Sequence, residues 1–307
     1  MQSGKHKTSS STNTLLRTLA CILLTLCATA KSVVATESTA TIRIAILPCS
    51  EIVKTFTQAH PLQAYLSHQL NREIEIIVPN SFQEFKRTIH LGEAEFAFQA
   101  PHAYLLLANQ YDPRNLLKTL TPQGTSVHRG VVVTRKDSGL EKIEDLHGKK
   151  FLFGHPFSTA KWLAPKVLLE EKGIDLKNDL QSYSHGDSCE AIAMNVYLGQ
   201  IDAGAICDYS FAELTENTSP EEDEVPPDAL VIIGTTWEIP TWVFASRKGV
   251  DEETVTRMVN ALTALDRRRP EHREVLENLE LGGFVKARDT DYDSLRKHLA
   301  ETDLPSQ

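Results

Sequence analysis

The sequence is poor in cationic charge, in aromatic residues and in cysteine. Its 307 residues hold 32 Lys and Arg against 41 Asp and Glu, a formal net charge of −9. An acidic chain without a basic stripe is badly equipped to grip nucleic acid or an anionic membrane through net charge. Only 7% of the residues are aromatic, and the longest apolar run, Leu19–Ala30, has 12 residues. A run of that length is short for a bilayer span, so a multi-spanning membrane protein is excluded. Five cysteines are too few for a disulfide-stapled scaffold of this size, and their spacings fit no zinc motif. There is no internal repeat, no Gly/Ser linker and no Gly-Lys-Ser/Thr ending that would mark a nucleotide-hydrolysing P-loop.

What is present begins with an export address. Lys5, Lys7 and Arg17 precede the apolar run, which ends in small residues, the pattern of a cleaved signal peptide. Cleavage sites are Ala28-Thr29-Ala30 or Val33-Val34-Ala35. Bulky Leu26 before Cys27 argues for a soluble product over a lipoprotein. Removing residues 1–35 takes away four bases and no acid, and moves the net charge from −9 to −13. Cys49, Cys189 and Cys207 remain, an odd count that allows at most one internal disulfide.

From Thr41 onward, strand-like runs alternate with helical ones. Thr41–Leu47, Glu73–Val78, Phe96–Gln99, Gly130–Thr134, Lys150–Phe153, Ala203–Cys207 and Thr241–Ala245 read as strands. Helical spacing marks the segments around Leu62–Leu70, Phe82–Leu91, His102–Ala108, Trp162–Glu171, Cys189–Tyr197 and Val255–Leu265. Strands separated by helical stretches predict an α/β fold with mainly parallel sheets. Glu216–Asp228, acidic and proline-bearing, reads as a solvated loop.

Five strand-to-helix junctions carry polar tips. The most informative is Phe153–Pro165, in which a strand runs through Gly154 and Pro156 into Ser158-Thr159-Ala160 at a helix start. Unpaired helix-start amides, two hydroxyls and the helix dipole together make an anion cradle. The plainer reading is that Ser158 or Thr159 only caps the helix. Ser184-His185-Gly186-Asp187-Ser188 repeats the arrangement, and Asp208 follows the strand ending at Cys207. In the first half, Gln99, His102 and Tyr104 follow one strand and Pro48-Cys49-Ser50 another. Open α/β sheets bind ligands at such strand ends.

These segments carry a family resemblance. Leu47-Pro48, His60-Pro61-Leu62, Gly92-Glu93-Ala94-Glu95-Phe96-Ala97, Ala100-Pro101-His102-Ala103-Tyr104, Ser158-Thr159, and Ser184-His185-Gly186-Asp187 with Gly199-Gln200-Ile201-Asp202-Ala203-Gly204 follow one another in the order and spacing of that family. The chain resembles the PhnD-like periplasmic phosphate/phosphite/phosphonate-binding proteins of ABC transporters, from Thr41 to about Arg288. The resemblance implies a type II periplasmic-binding-protein fold, with 36–133 plus 241–307 as one lobe, 134–240 as the other, and the ligand at the hinge. It implies a monomer that takes a small oxyanion to a membrane permease, with no cofactor, no metal and no nucleic acid. Ser158, Thr159 and Ala160 match the family's Ser-Thr-Ser. His185, Asp187, Asp208, Tyr104, His102, Gln99 and Cys49 complete the expected ligand-binding set.

Ala160 removes one hydroxyl from the family pattern, Gln99 stands where some relatives have Tyr, and Glu95 replaces Asp. Such changes alter discrimination more than fold. Carboxylates beside an anion are useful only if the ligand also offers a proton donor, a P–OH or an ammonium. Two other functions stay open: a ligand-sensing module docked on a membrane signalling protein, and a cysteine-dependent hydrolase using Cys49, Cys189 or Cys207 with His185 as base.

Overall fold

The computed structural model describes residues 40–48, 51–216 and 224–301, with Met1 and Gly4. The expected leader is otherwise outside the described residues, as are Cys49 and most of the acidic segment. The strands, in chain order, are β1 (Ile42–Ile46), β2 (Ile74–Ile77), β3 (Phe96–Gln99), β4 (Tyr111–Leu120), β5 (Val127–His128), β6 (Gly130–Arg135), β7 (Lys150–Phe153), β8 (Ser182–His185), β9 (Ala203–Cys207), β10 (Leu230–Thr235), β11 (Ile239–Pro240), β12 (Val243–Arg247) and β13 (Gly283–Ala287).

Alternation along three of these strands decides how the first sheet is covered. Ile42, Ile44 and Ile46 of β1, Phe96 and Phe98 of β3, and Phe244 of β12 share one face. Ala45, Ala97 and Ala245, from the same strands, share the other. The bulky face meets the helix Ile52–Leu70 through Ala59, Leu62, Leu66 and Leu70, and the helix Glu252–Thr263 through Val255, Met258 and Leu262. The alanine face leaves room for large partners, and Phe85, Tyr104, Tyr111 and Tyr292 fill it. Ser81 opens the helix Phe82–Leu91 by accepting the Glu84 amide at 3.1 Å, and Gly92, at φ 70°, closes it.

The first sheet has the order β13-β4-β12-β3-β1-β2 and the second β10-β6-β9-β7-β8. Each has a parallel part, β2, β1 and β3 in one and β8, β7 and β9 in the other. Antiparallel strands extend both: β12, β4 and β13 in the first, β6 and β10 in the second. The cause is the chain path, which leaves the first sheet after β4, builds the whole second sheet, and returns through β12. The expected lobe boundary at 133/134 therefore falls within β6, all of which belongs to the five-stranded sheet. The two crossing segments pair with each other as a short antiparallel ribbon, β5 with β11, matching His128 to Ile239 and Val127 to Pro240.

The polar segment Asp112–Asn115 interrupts β4, so its sequence does not alternate as a strand's would. Pro113 sits where pairing with β12 shifts register, so its missing N–H disrupts no ladder.

Phe244 stacks on Phe96 at 5.5 Å and meets Phe284 edge-on at 6.5 Å, on the strand that returns from the second sheet. Phe244→Ala is expected to lower the unfolding free energy by about 3–5 kcal/mol. The check is the denaturant midpoint at unchanged m-value, and a loss below about 1 kcal/mol would mean that this face is not a packed core.

Candidate functional site

A cavity of about 180 Å³ is lined from both sheets and from the ribbon between them. Its size suits a small molecule with its ordered water. The six-stranded side contributes Leu47, Pro101, Thr119, Thr121, Thr241 and Trp242, with Lys54 and Gln58 from the helix Ile52–Leu70 and Glu280 from the turn before β13. The five-stranded side contributes Ser158–Lys161, Asp187–Glu190, Cys207, Tyr209 and Ser210.

The segment Ser158–Lys161 is a built structure. Ser158 Oγ accepts the Lys161 amide at 3.0 Å, so the capping reading holds. The same hydroxyl keeps its own proton, and capping therefore leaves it a donor toward the cavity. Thr159–Leu163 forms a π-helical turn that runs into the helix Ala164–Glu171. The Thr159 and Ala160 amides open it without partners inside it. Gly154 accepts the close approach of this turn: its amide donates to the Lys161 carbonyl at 2.9 Å, and an added Cβ would lie 2.3 Å from Lys161 Cβ. At Gly130 a Cβ would lie 2.2 Å from the Ala160 carbonyl oxygen. Both positions need glycine for space. Lys161 Nζ donates to the Asp187 carbonyl at 2.8 Å, tying this junction to the next. There Ser188 Oγ accepts the Ala191 amide at 3.1 Å.

Of the expected residues, Ser158, Thr159, Ala160 and Asp187 line the cavity. His102 reaches the site through Thr159, its Nδ1 lying 2.9 Å from Thr159 Oγ1. That contact joins the elements of the six-stranded sheet to those of the five-stranded one, as does Phe157 packed against Phe82 at 5.9 Å. The others are not brought to the wall. Tyr104 is buried between Tyr111 and Tyr292, and its hydroxyl donates to Asp289 at 2.6 Å. Burial, with that hydrogen bond, pushes its hydroxyl well above the ordinary tyrosine range. Gln99 is enclosed and accepts from Tyr111 at 3.2 Å. His185 stands behind the cradle, with Nδ1 2.7 Å from the Gly154 carbonyl and its ring edge-on to Trp162 at 4.7 Å. Asp208 spends its carboxylate on the Tyr209 amide at 2.9 Å. Cys49 lies outside the described residues.

Antiparallel pairing brings further residues to the wall, which no local sequence pattern marks. Gly130 of β6 is opposite Cys207 of β9, so His128, before β6, arrives at the same edge as Tyr209, after β9. Their rings stack at 5.7 Å. By the same logic Thr241 and Trp242 precede β12, which runs antiparallel to β3, and share an edge with Pro101. Within the two large sheets, neither His128 nor the Thr241–Trp242 pair lies at the carboxyl end of a strand. The His128 Nδ1 is buried without a hydrogen-bond partner among the described residues. Cys189 and Cys207 are free thiols in the wall, and the Cys207 amide donates to Cys189 Sγ at 3.3 Å. His185 holds the Gly154 carbonyl through Nδ1 and makes no hydrogen bond to Cys189 or Cys207 among the described residues, so the geometry does not favour the alternative hydrolase reading.

Comparison with known proteins agrees with this architecture. Residues 44–292 match the family model for periplasmic substrate-binding proteins of phosphonate ABC transporters. A phosphate-import protein, PhnD, of Mycolicibacterium smegmatis is 22% identical over 276 residues, covering 83% of this chain and 84% of its own. A tetrathionate sensor histidine kinase of Salmonella typhimurium is 25% identical over 235 residues, 71% of this chain but 38% of the kinase. The structure of PhnD1 from Prochlorococcus marinus in complex with methylphosphonate superposes with a TM-score of 0.69 at 16% identity, covering 85% of this chain and 97% of that one.

Two histidines of the site are held neutral. Burial lowers His102 from 6.5 to about 4. It lowers His128 from 6.5 to about 4 as well, with Asp208 opposing the shift and Lys161 adding to it. The unfolded chain thus takes up protons at a pH where the folded chain does not. The stabilisation is complete above pH 6.5 and is lost as pH falls toward about 4. The urea midpoint should drop across that window, and the drop should shrink in the double variant His102→Gln/His128→Gln. An identical pH slope in parent and variant would show that neither ring is buried neutral.

Proposed function

The chain belongs to the family of periplasmic substrate-binding proteins of phosphonate ABC transporters, and we propose that it captures a small phosphorus oxyanion in the cleft between its two sheets for a membrane permease. The observation that carries this reading is the cradle at Ser158–Ala160, with Lys161 in the same wall. Two hydroxyls, two helix-start amides and an ammonium supply the donors that an oxyanion needs in place of water. For Thr159 to donate to the ligand, His102 must donate to Thr159 from Nδ1, which makes His102 a positioning residue that sets the direction of one hydrogen bond. Ala160 contributes its amide alone.

The wall is mixed in charge. Lys54 and Lys161 stand with Asp187, Glu190 and Glu280. A fully ionised anion would be repelled by the carboxylates, whereas a ligand with a P–OH or an ammonium satisfies both signs. We therefore assign the ligand to phosphorus oxyanions that keep a proton donor. The lobes are the two sheet systems, and closure would bend the β5–β11 ribbon. Residues 1–35 fit an export leader, and the cleft's donors are accounted for by binding without catalysis. A second reading, a sensing module with a membrane signalling partner, is favoured by the match to the sensor kinase. The same capture step serves both.

Calorimetric titration with phosphite, methylphosphonate, phosphate and 2-aminoethylphosphonate should give binding by at least one of them, and none by a fully ionised sulfonate. Preference for the sulfonate would sink the donor requirement. Ser158→Ala and Thr159→Ala should each weaken binding by about 1–3 kcal/mol, the worth of one charge-assisted hydrogen bond. Undiminished affinity in the double variant would reduce the segment to a helix cap.

A further inference from the structure

The cleft contains one pair of groups that oxyanion capture does not use. Cys189 is the first residue of the helix Cys189–Tyr197, and Cys207 is the last residue of β9. Both are buried, at 7% and 4% exposure, yet both line the cavity that holds the cradle. They are free thiols in contact, and the Cys207 amide donates to Cys189 Sγ at 3.3 Å. Proteins of this family work in an oxidising compartment, where adjacent thiols form disulfides unless something prevents it.

The surroundings distinguish the two sulfurs. Cys189 sits at a helix N-terminus, where backbone amides favour a thiolate. It accepts hydrogen bonds from the Cys207 thiol and from Ser210, and Lys161 is near enough to act on it. These groups outweigh burial, which acts the other way, and lower its thiol below the ordinary cysteine range. Cys207 donates to Cys189 and is buried, and both effects push its thiol up. One sulfur is poised to attack and its neighbour is kept protonated in reserve.

We propose that Cys189 and Cys207 form a redox-active dithiol in the wall of the ligand cleft, with Cys189 as attacking thiolate and Cys207 as resolving thiol, whose substrate is a small anionic disulfide. The Cys189 thiolate attacks one sulfur of R–S–S–R, the S–S bond breaks, and one R–S⁻ leaves. Cys207 then loses its proton and attacks the Cys189 sulfur of the mixed disulfide, expelling the second R–S⁻. Two electrons pass from the cysteine sulfurs to the substrate, which leaves as two thiols carrying the two protons, and a Cys189–Cys207 disulfide remains. The pairing of a nucleophilic thiol with an adjacent hydroxyl cradle and ammonium is what selects an anion. The proposal rests on the oxyanion reading for the charge of its substrate only.

The test uses the full chain with Cys21, Cys27 and Cys49 replaced by Ser, reduced and then treated with 5,5′-dithiobis(2-nitrobenzoate), an anionic disulfide whose released thiol is coloured. The expected result is release of two thiols per chain, with a protein mass lower by two hydrogens and no probe attached. The rate should rise with pH as the Cys189 thiol ionises, and do so at lower pH than for an ordinary cysteine. Cys207→Ser should trap one probe fragment on Cys189, and Cys189→Ser should slow the reaction about tenfold or more. The neutral 2-hydroxyethyl disulfide should react more slowly than the anionic probe, relative to their rates with the denatured chain. Two retained fragments per chain, or reaction only after denaturation, would overturn the proposal on the parent alone, whatever the single variants do. Titration of the Cys189→Ser/Cys207→Ser chain with methylphosphonate separates the readings. Failure of the parent to exchange, with methylphosphonate binding intact in the double variant, sinks the dithiol alone, whereas exchange in the parent without methylphosphonate binding, and without preference for the anionic probe, sinks the proposed function and the anionic substrate together.

Discussion

The site depends on the pairing of two short crossing segments. The chain passes from the six-stranded to the five-stranded sheet once in each direction, and Val127–His128 hydrogen-bonds to Ile239–Pro240 as it does so. Thr241 fastens the crossing at its six-stranded end, its amide donating to the Ser126 carbonyl and its hydroxyl to that of Thr119. Two paired strands resist sliding more than bending, because sliding breaks register and bending does not. The position of each cavity wall relative to the other is thereby reduced to few degrees of freedom. His128, Thr241 and Trp242 face the cavity because they belong to this connection or adjoin it.

The same path explains why the wall is assembled from both ends of strands. In a wholly parallel sheet only the carboxyl ends would meet the ligand. Here β6 and β12 run against their neighbours, and residues before them join those after β9 and β3. The acidic surface is compatible with an anion site because the relevant field is local. Amide dipoles, hydroxyls and Lys161 act within hydrogen-bonding range, while surface charges more than about 10 Å away are screened by salt.

Most of the strand and helix order was legible in the sequence, since period-two runs such as Thr41–Leu47 and capped helices such as Phe82–Leu91 declare themselves locally. Strand β4 was not legible: its Pro113 and polar 112–115 segment look like a loop, and only tertiary pairing with β12 and β13 makes the strand. At the site, Ser158–Ala160 and Asp187 were legible because turn, cap and helix follow one another in sequence. Tyr104, Gln99, His185 and Asp208 carry polar groups at the right junctions, but a second contact claims each of them: Asp289, Tyr111, the Gly154 carbonyl and the Tyr209 amide. The partners of Tyr104, Gln99 and His185 lie between 12 and 185 residues away, and no local pattern reveals them. His128 and the meeting of Cys189 with Cys207 depend on strand direction, which the alternation of elements does not encode.

The π-helical turn has a consequence for how this cradle can vary. Leu163 donates to the carbonyl of Ser158, five residues back, at 3.1 Å, and Ala164 likewise to that of Thr159. An α-helix would close each ring one residue earlier. The turn thus carries one residue more than the helix it opens, and that surplus orients Lys161 toward Asp187 and Trp162 toward His185. Losing one residue here would rotate everything upstream by about 100° about the helix axis. Chain length, independently of residue type, is therefore a variable of recognition: a deletion of one residue between Ser158 and Pro165 would redirect the cradle with every hydroxyl still present.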